Sequence, residues 1–374
     1  METFIFSVSS YDRDGRLRAL VNVFCHISKV SIITKYKPSS VFLRCDVHYC
    51  KMSFLNTIRQ IKFFIDYMKK SSKSDFILID NRKAALFALI FYPIIKQRIV
   101  IYDMREFYMC QNENTVKSSI GTYIESVFLK LADAVICPNQ HRARLVKVQY
   151  GLKHRPFILE NNRQIVLDAR SKNILDGLND KENPIMAESE KQSRLNFVST
   201  DGFSYARESP RVIQACANFS SNINLYIFGN GKEKADSYIR DNDLKNIYHL
   251  GVVDANILGE FLKYMDAGFV VYGSHDLNNK YCASGKIYEF IHLGIPVVTS
   301  NNAPLRAITH RHGVGVSTED IGSGIKEIID YLDHFKARCV EFSAEMDVEK
   351  FELVSAKMLI DYLGETRWTS DAES

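Results

Sequence analysis

Residues 284–300 read Ser284-Gly285-Lys286-Ile287-Tyr288-Glu289-Phe290-Ile291-His292-Leu293-Gly294-Ile295-Pro296-Val297-Val298-Thr299-Ser300. Ser284 and Gly285 make a turn, Lys286–Leu293 predicts a helix, and after Gly294 the run Pro296–Thr299 predicts a short strand. N–H groups at the start of such a helix, the positive end of its dipole and the Lys286 ammonium converge on one point, where a diphosphate would fit. Glu289 lies three residues on, on the same helical face. A carboxylate there can accept two hydrogen bonds from vicinal hydroxyls such as those of a ribose. Taken alone, the same two residues also fit an exposed Lys–Glu pair of the first turn, worth about 0.2–0.5 kcal/mol.

Outward from this segment the same alternation repeats. Residues 195–332 predict the strands Leu195–Ser199, Asn224–Phe228, Ile247–Leu250, Ala267–Tyr272, Pro296–Thr299 and Val314–Val316, each separated by a helix. Residues 1–160 predict Phe4–Ser9, Val30–Thr34, Phe76–Ile79, Arg98–Tyr102, Ala134–Cys137 and Phe157–Leu159 in the same rhythm. Short, nearly continuous apolar strands between helices are those of a parallel sheet covered on both faces. Between Asn161 and Gln192 the periodicity gives way to charge and polarity, as in a linker or mobile loop. The expected organisation is a first domain over 1–160, a linker over 161–192, a second domain over 193–345, and a C-terminal helix with a frayed tail over 346–374.

Composition agrees with two globular domains: 374 residues, 46% apolar and 25% charged. Disordered and fibrous classes are excluded. No N-terminal stretch has the form of a secretory signal, so the chain is expected in the cytoplasm. The longest apolar run, Ala84–Ile95, contains Pro93 and falls short of the roughly 20 residues needed to cross a bilayer, so it predicts a buried helix. The eight cysteines are scattered and read as reduced core thiols. Charge divides unevenly: residues 1–160 hold 25 Lys and Arg against 13 Asp and Glu, and the remainder is acidic. That split fits a first domain facing an anionic surface or glycan, or simple surface drift. The helix over Phe54–Lys73, with Arg59, Lys62, Lys69, Lys70 and Lys73 beside Phe63, Phe64 and Tyr67, could lie on an anionic membrane or pack on the sheet.

Turns at the carboxyl ends of parallel strands favour anions. Ser199-Thr200-Asp201-Gly202 and Gly229-Asn230-Gly231 join Ser284-Gly285-Lys286 as candidate phosphate turns, and Gly-Asn-Gly alone is as well explained as a plain turn. Asp12-Arg13-Asp14 and Asp241-Asn242-Asp243 spell a carboxylate pair used elsewhere for metal, but both read as solvated turns, and no metal is expected. No zinc-protease, serine-hydrolase or P-loop motif occurs.

The run from Lys286 to Val298 resembles the donor-site signature K-x-Y-E-x-x-x-x-G-x-P-V-V of GT-B glycosyltransferases, of the large bacterial family 4 or group 1 type. Further similarity lies in Asp12-Arg13-Asp14-Gly15-Arg16-Leu17, in Ile101-Tyr102-Asp103-Met104-Arg105-Glu106, in Asp133–Asn139 and in His249-Leu250-Gly251-Val252-Val253. The resemblance covers most of residues 1–332. It implies an α/β fold of two Rossmann-like, doubly wound parallel-sheet domains facing across a cleft. On that resemblance Glu289 binds the donor ribose, Ser284, Gly285 and Lys286 hold the diphosphate, Gly202 lines the cleft, Gly229 and Gly231 lie near the nucleotide, and Val252 lies beside the base. Two departures stand out. Retaining members often carry a second glutamate eight residues before the first, and here that position is Tyr281. The usual Arg/Lys pair is reduced to Arg207.

These readings imply a hexosyltransferase that moves a sugar from a nucleoside diphosphate sugar to a growing, lipid-linked glycan such as capsule, O-antigen or exopolysaccharide. The nucleotide sugar is a substrate, and no metal or other cofactor is expected. Lys286 and Arg207 would stabilise the leaving diphosphate. Asp103 or Glu106 would deprotonate the acceptor in an inverting reaction, unless Arg105 makes them an ordinary surface ion pair. Expected partners are the donor, a glycan or lipid-linked acceptor and an anionic membrane surface at the inner face, with no nucleic acid. Two other functions fit the same residues: a sugar-nucleotide 2-epimerase, and a silent partner that binds nucleotide sugar or glycan.

Overall fold

The computed structural model describes residues 1–11, 14–34, 45–49, 65–107, 116–165 and 194–371. Asp12 and Arg13, residues 54–64 of the basic helix, residues 166–192 of the linker and the last three residues lie outside this set. Two compact units are formed: Met1–Asn162 with Val348–Ser374, and Arg163–Asp347.

The first unit is built on seven parallel strands, β1 (Glu2–Ser7), β2 (Lys29–Thr34), β3 (Asp46–Tyr49), β4 (Phe76–Asp80), β5 (Ile99–Asp103), β6 (Ala134–Cys137) and β7 (Phe157–Ile158), in the order β3-β2-β1-β4-β5-β6-β7. Six were expected. The seventh, β3, is a four-residue edge strand in which Asp46 and His48 interrupt the apolar run that would announce it. Helix α1 (Gly15–Cys25) packs Leu17, Leu20 and Phe24 on one face of the sheet. The C-terminal helix, Val348–Asp371, returns to this unit, adding Ala356, Leu359 and Leu363 to the same cluster. It runs on into the stretch expected to fray.

The run Ala84–Ile95 is not one buried helix. It is divided between α2 (Asn81–Ile90) and a single turn, Tyr92–Ile95, with Pro93 at its start. Ala84, Ala85, Ala88 and Ile95 face inward, whereas Leu86, Ile90 and Ile94 are exposed. No helix among the described residues is long and apolar enough to cross a membrane. The six cysteines described are free, and burial pushes the Cys339 thiol up to about 12.

Two arginines and three aspartates gather at the carboxyl ends of β1, β4 and β5. Arg16 of α1 grips Asp103 through Nη2 to Oδ1 at 2.6 Å and Nε to Oδ2 at 3.2 Å, and also donates to Asn161 and to the Leu159 carbonyl. Arg105 pairs with Asp80 and Asp14, while Ser7 donates to Asp80 at 2.5 Å. Burial outweighs the nearby guanidinium and pushes Asp80 up to about 6. Such a network fixes the strand ends as long as every member keeps its partner.

The second unit has six parallel strands, β8 (Leu195–Ser199), β9 (Ile223–Phe228), β10 (Ile247–Gly251), β11 (Ala267–Val270), β12 (Val297–Ser300) and β13 (Gly315–Thr318), in the order β10-β9-β8-β11-β12-β13. All six were expected from sequence. Helix α3 (Lys286–His292) buries Ile287, Tyr288, Phe290 and Ile291. Phe290 lies directly over Gly268 of β11, where an added Cβ would stand 2.6 Å from the ring. His292, in the last turn of α3, packs at 5.6 Å on Phe342 of α4 (Leu332–Glu345), its Nδ1 3.1 Å from Ser343 Oγ.

Two stability predictions follow from this packing. Asp103→Ala strands Arg16 in a buried site and should cost about 3–5 kcal/mol, read as a lowered urea midpoint; a loss under about 1 kcal/mol would show that the network holds nothing together. Desolvation by burial lowers His292 to about 4, below its ordinary value of about 6.5. The folded state therefore binds its proton less readily than the unfolded chain, so its contribution is whole above pH 6.5 and is lost as pH falls toward 4. His292→Phe should flatten the fall in thermal midpoint between pH 7 and pH 5, and an unchanged slope would exclude His292 as its source.

Candidate functional site

In the second unit the expected residues gather at the carboxyl ends of β8, β9 and β11 and at the start of α3. Because the apolar side of α3 is committed to the core, Lys286 and Glu289 project from its other side. Lys286 Nζ donates to the Thr200 carbonyl at 2.6 Å and to Asp201 Oδ1 at 2.7 Å. Arg207 reaches the same Asp201 oxygen from 3.8 Å. Its guanidinium lies 3.9 Å from the centroid of the Tyr272 ring, and Asn279 Oδ1 stands 3.5 Å from Nη1. Burial pushes the Tyr272 hydroxyl up to about 12, so the ring stays neutral beneath the cation. Two cations thus share one half-buried carboxylate, and the Thr200 hydroxyl beside them is buried without a hydrogen-bond partner among the described residues.

Glu289 is held differently. Its Oε1 accepts from Arg163 Nε at 2.6 Å, with both side chains partly exposed. Ser284 is buried in the turn before α3, and the Arg163 guanidinium crosses the face of Gly285.

The three other glycines have a reason visible only in three dimensions. Gly202, Gly229 and Gly231 have φ of 67°, 124° and 87°. A Cβ on Gly202 would stand 2.4 Å from the Asn230 carbonyl oxygen, and one on Gly229 would stand 2.8 Å from the Gly202 nitrogen. Phe203 N donates to the Asn230 carbonyl at 2.8 Å, so the turns after β8 and β9 are laced backbone to backbone. Gly229 N donates to the Gly251 carbonyl at 2.7 Å, joining the turn after β10, where Val252 is 71% exposed. The glycines bring three strand ends together before any ligand is considered.

The first unit separates the two candidate bases. Asp103 is fully buried and both its oxygens accept from Arg16, so it does not face an acceptor and serves the buried network instead. Arg105 is likewise part of a buried network rather than a surface pair. Glu106, by contrast, is exposed at a cavity of about 260 Å³ whose walls include Ser9, Asn81, Arg82 and Glu125. Asp14, half of one carboxylate pair considered for metal, caps α1 by accepting from Leu17 N at 3.1 Å, and Asp243 of the other pairs with Lys245. Among the described residues no cluster of three or more metal-ligating side chains occurs.

Sequence reasoning missed Arg163, Tyr272 and the part played by Asp201. Asp201 stands inside a candidate phosphate turn, where the glycine beside it carries the sequence signal. Arg163 had no local signal, standing in a polar stretch read as linker.

No family model matches the chain, and no characterised protein matches it by sequence. Solved structures do. HepE of Anabaena in complex with UDP-glucose is 14% identical with a TM-score of 0.69, over 96% of this chain and 100% of that one. WaaG, a glycosyltransferase involved in lipopolysaccharide biosynthesis, is 12% identical with a TM-score of 0.62, over 96% and 99%. A glycosyltransferase from Rickettsia africae is 12% identical with a TM-score of 0.62, over 98% of both chains. The chain has the two-sheet GT-B fold of these glycosyltransferases.

Proposed function

We propose that this chain is a glycosyltransferase that takes a sugar from a nucleoside diphosphate sugar and passes it to a growing, lipid-linked glycan. The observation that carries the reading is the convergence of Lys286 and Arg207 on Asp201, one helical turn from Glu289. A leaving nucleoside diphosphate gathers negative charge, and cations already fixed by a carboxylate and an aromatic face meet that charge with little reorganisation. Glu289 accepts from the ribose hydroxyls. Ser284 and Gly285 let the backbone approach the phosphates, and Gly202, Gly229, Gly231 and Val252 form the surrounding wall. The same fold in HepE holds UDP-glucose, which supports a nucleotide sugar as the ligand class. No metal is invoked, because the leaving charge has two protein cations to meet it.

Glu106 is our candidate for the acceptor-side base. It is the carboxylate of its segment left exposed at a cavity, in the unit that carries the basic charge. We also assign that unit to an anionic membrane surface. The apolar stripe Leu86, Ile90 and Ile94 is exposed on and just after α2, Ile90 to 64%, and is flanked in sequence by exposed Lys83, Lys96 and Arg98. Basic rims around apolar stripes suit anionic headgroups.

Radiolabelled nucleotide sugars offered with and without glycan acceptors should reveal one that is consumed. Lys286→Ala should lower kcat/KM by about 10²–10³, Glu289→Ala should raise the donor KM roughly 10–100-fold, and Glu106→Gln should lower transfer while sparing nucleotide affinity. Wild-type activity surviving in all three variants would sink the assignment. Release of an epimerised nucleotide sugar without acceptor would favour the epimerase instead. On vesicles containing anionic lipid, binding should weaken with salt and with Ile90→Asp; indifference to both would remove the membrane from the proposal.

A further inference from the structure

Arg163 is the first residue of the second unit and belongs to no motif. Its guanidinium is nonetheless committed to a narrow place. Nε donates to Glu289 Oε1 at 2.6 Å, and the group lies across Gly285 so closely that an added Cβ would stand 2.5 Å from Cζ and 2.7 Å from Nε. Gly285, read from sequence as a residue of the phosphate turn, is therefore also the residue that gives this arginine room. The side chains of Arg163 and Glu289 are 27% and 19% exposed, which is neither a solvated surface pair nor a sealed structural one. The two terminal nitrogens of Arg163 make no hydrogen bond among the described residues.

The charge balance gives that position a consequence. Around the start of α3 the described cations Lys286 and Arg207 stand against Asp201 and Glu289, and those four charges cancel. A nucleoside diphosphate carries about two to three negative charges, so Lys286 and Arg207, each already paired with a carboxylate, meet that charge only in part. Arg163 makes the cluster net positive. It is also the cation whose ion pair is with Glu289 rather than with Asp201, leaving Lys286 and Arg207 held by their own carboxylate.

We infer that Arg163 is a donor-site residue, the third cation for the diphosphate, which also keeps Glu289 turned toward the ribose. This rests on the donor-site reading proposed above. Its N–H groups not used by Glu289 meet the phosphate oxygens, and the planar, permanently charged guanidinium suits that task better than an ammonium.

Calorimetric titration of the full chain with UDP, GDP and ADP, and with the matching nucleosides, tests the inference. With whichever diphosphate binds wild type, Arg163→Ala and Arg163→Gln should raise Kd roughly 10–100-fold. The preference for diphosphate over nucleoside should shrink with it, and the salt dependence should weaken. Arg163→Lys should recover part of the loss. An unchanged Kd in Arg163→Ala overturns the inference while leaving the donor site intact. A lower Kd also overturns it, because Arg163 would then be competing with the ribose for Glu289. If wild type binds none of the three diphosphates while remaining folded, the donor-site reading itself fails and takes the inference with it.

Discussion

The candidate site depends on the seating of one short helix. Seven residues, Lys286–His292, are too few for a helix to persist in water, where nucleation is costly and each added bond returns little. Tertiary packing must hold it. Ile287, Tyr288, Phe290 and Ile291 supply that packing, and the missing side chain at Gly268 lets Phe290 drop onto the sheet. Burying four such side chains stabilises by several kcal/mol, at about 1.5–3 kcal/mol each. Once that face is fixed, Lys286 and Glu289 have no freedom to choose theirs. The polar geometry follows from the apolar one.

The two units spend similar residues in opposite ways. In the first, Arg16 and Asp103 are withdrawn from water and satisfy one another, with Asn161 and a carbonyl completing the arginine. Removing either partner would leave an uncompensated buried charge, a cost several times the value of an exposed pair. In the second, Lys286, Arg207 and Asp201 are paired but remain within reach of solvent. Their mutual attraction is modest, so an incoming anion can draw the cations away from Asp201 at small cost. Burial, more than residue type, separates the structural network from the candidate site, and it also divides Asp103 from Glu106 although they are three positions apart.

This difference marks what the sequence could disclose. Twelve of the thirteen strands were legible because each is a short apolar run between turns, a pattern set by burial on both faces. Asp46–Tyr49 was not, since an edge strand of four residues needs no such run. The C-terminal helix was legible as a helix but not as a part of the first unit, because its partners, in α1, are more than 300 residues away along the chain. Lys286 and Glu289 were legible from their spacing on one helix. Arg163 was not, for its partner is 126 residues distant and only the space over Gly285 reveals it. Asp103 misled because a carboxylate at a strand end looks the same in sequence whether it faces solvent or an arginine.

Arg207 shows how far local geometry prepares a charge. A free arginine side chain loses up to about 2 kcal/mol of rotamer entropy when ordered. Here the Tyr272 ring lies 3.9 Å beneath the guanidinium, Asn279 stands near Nη1 and Asp201 near Nε, so much of that loss falls in folding rather than in binding. Asn279 is fixed in turn by Asp276, whose Oδ1 accepts from its backbone N–H at 2.7 Å in a single turn of helix. That turn ends against Tyr281, the position at which the GT-B resemblance leads one to expect a second glutamate. A carboxylate at 281 would have added negative charge beside a cluster whose positive balance is only one. Tyrosine in its place leaves that balance intact, so the departure at Tyr281 and the presence of Arg163 act in the same direction, both favouring an anion at the proposed donor site.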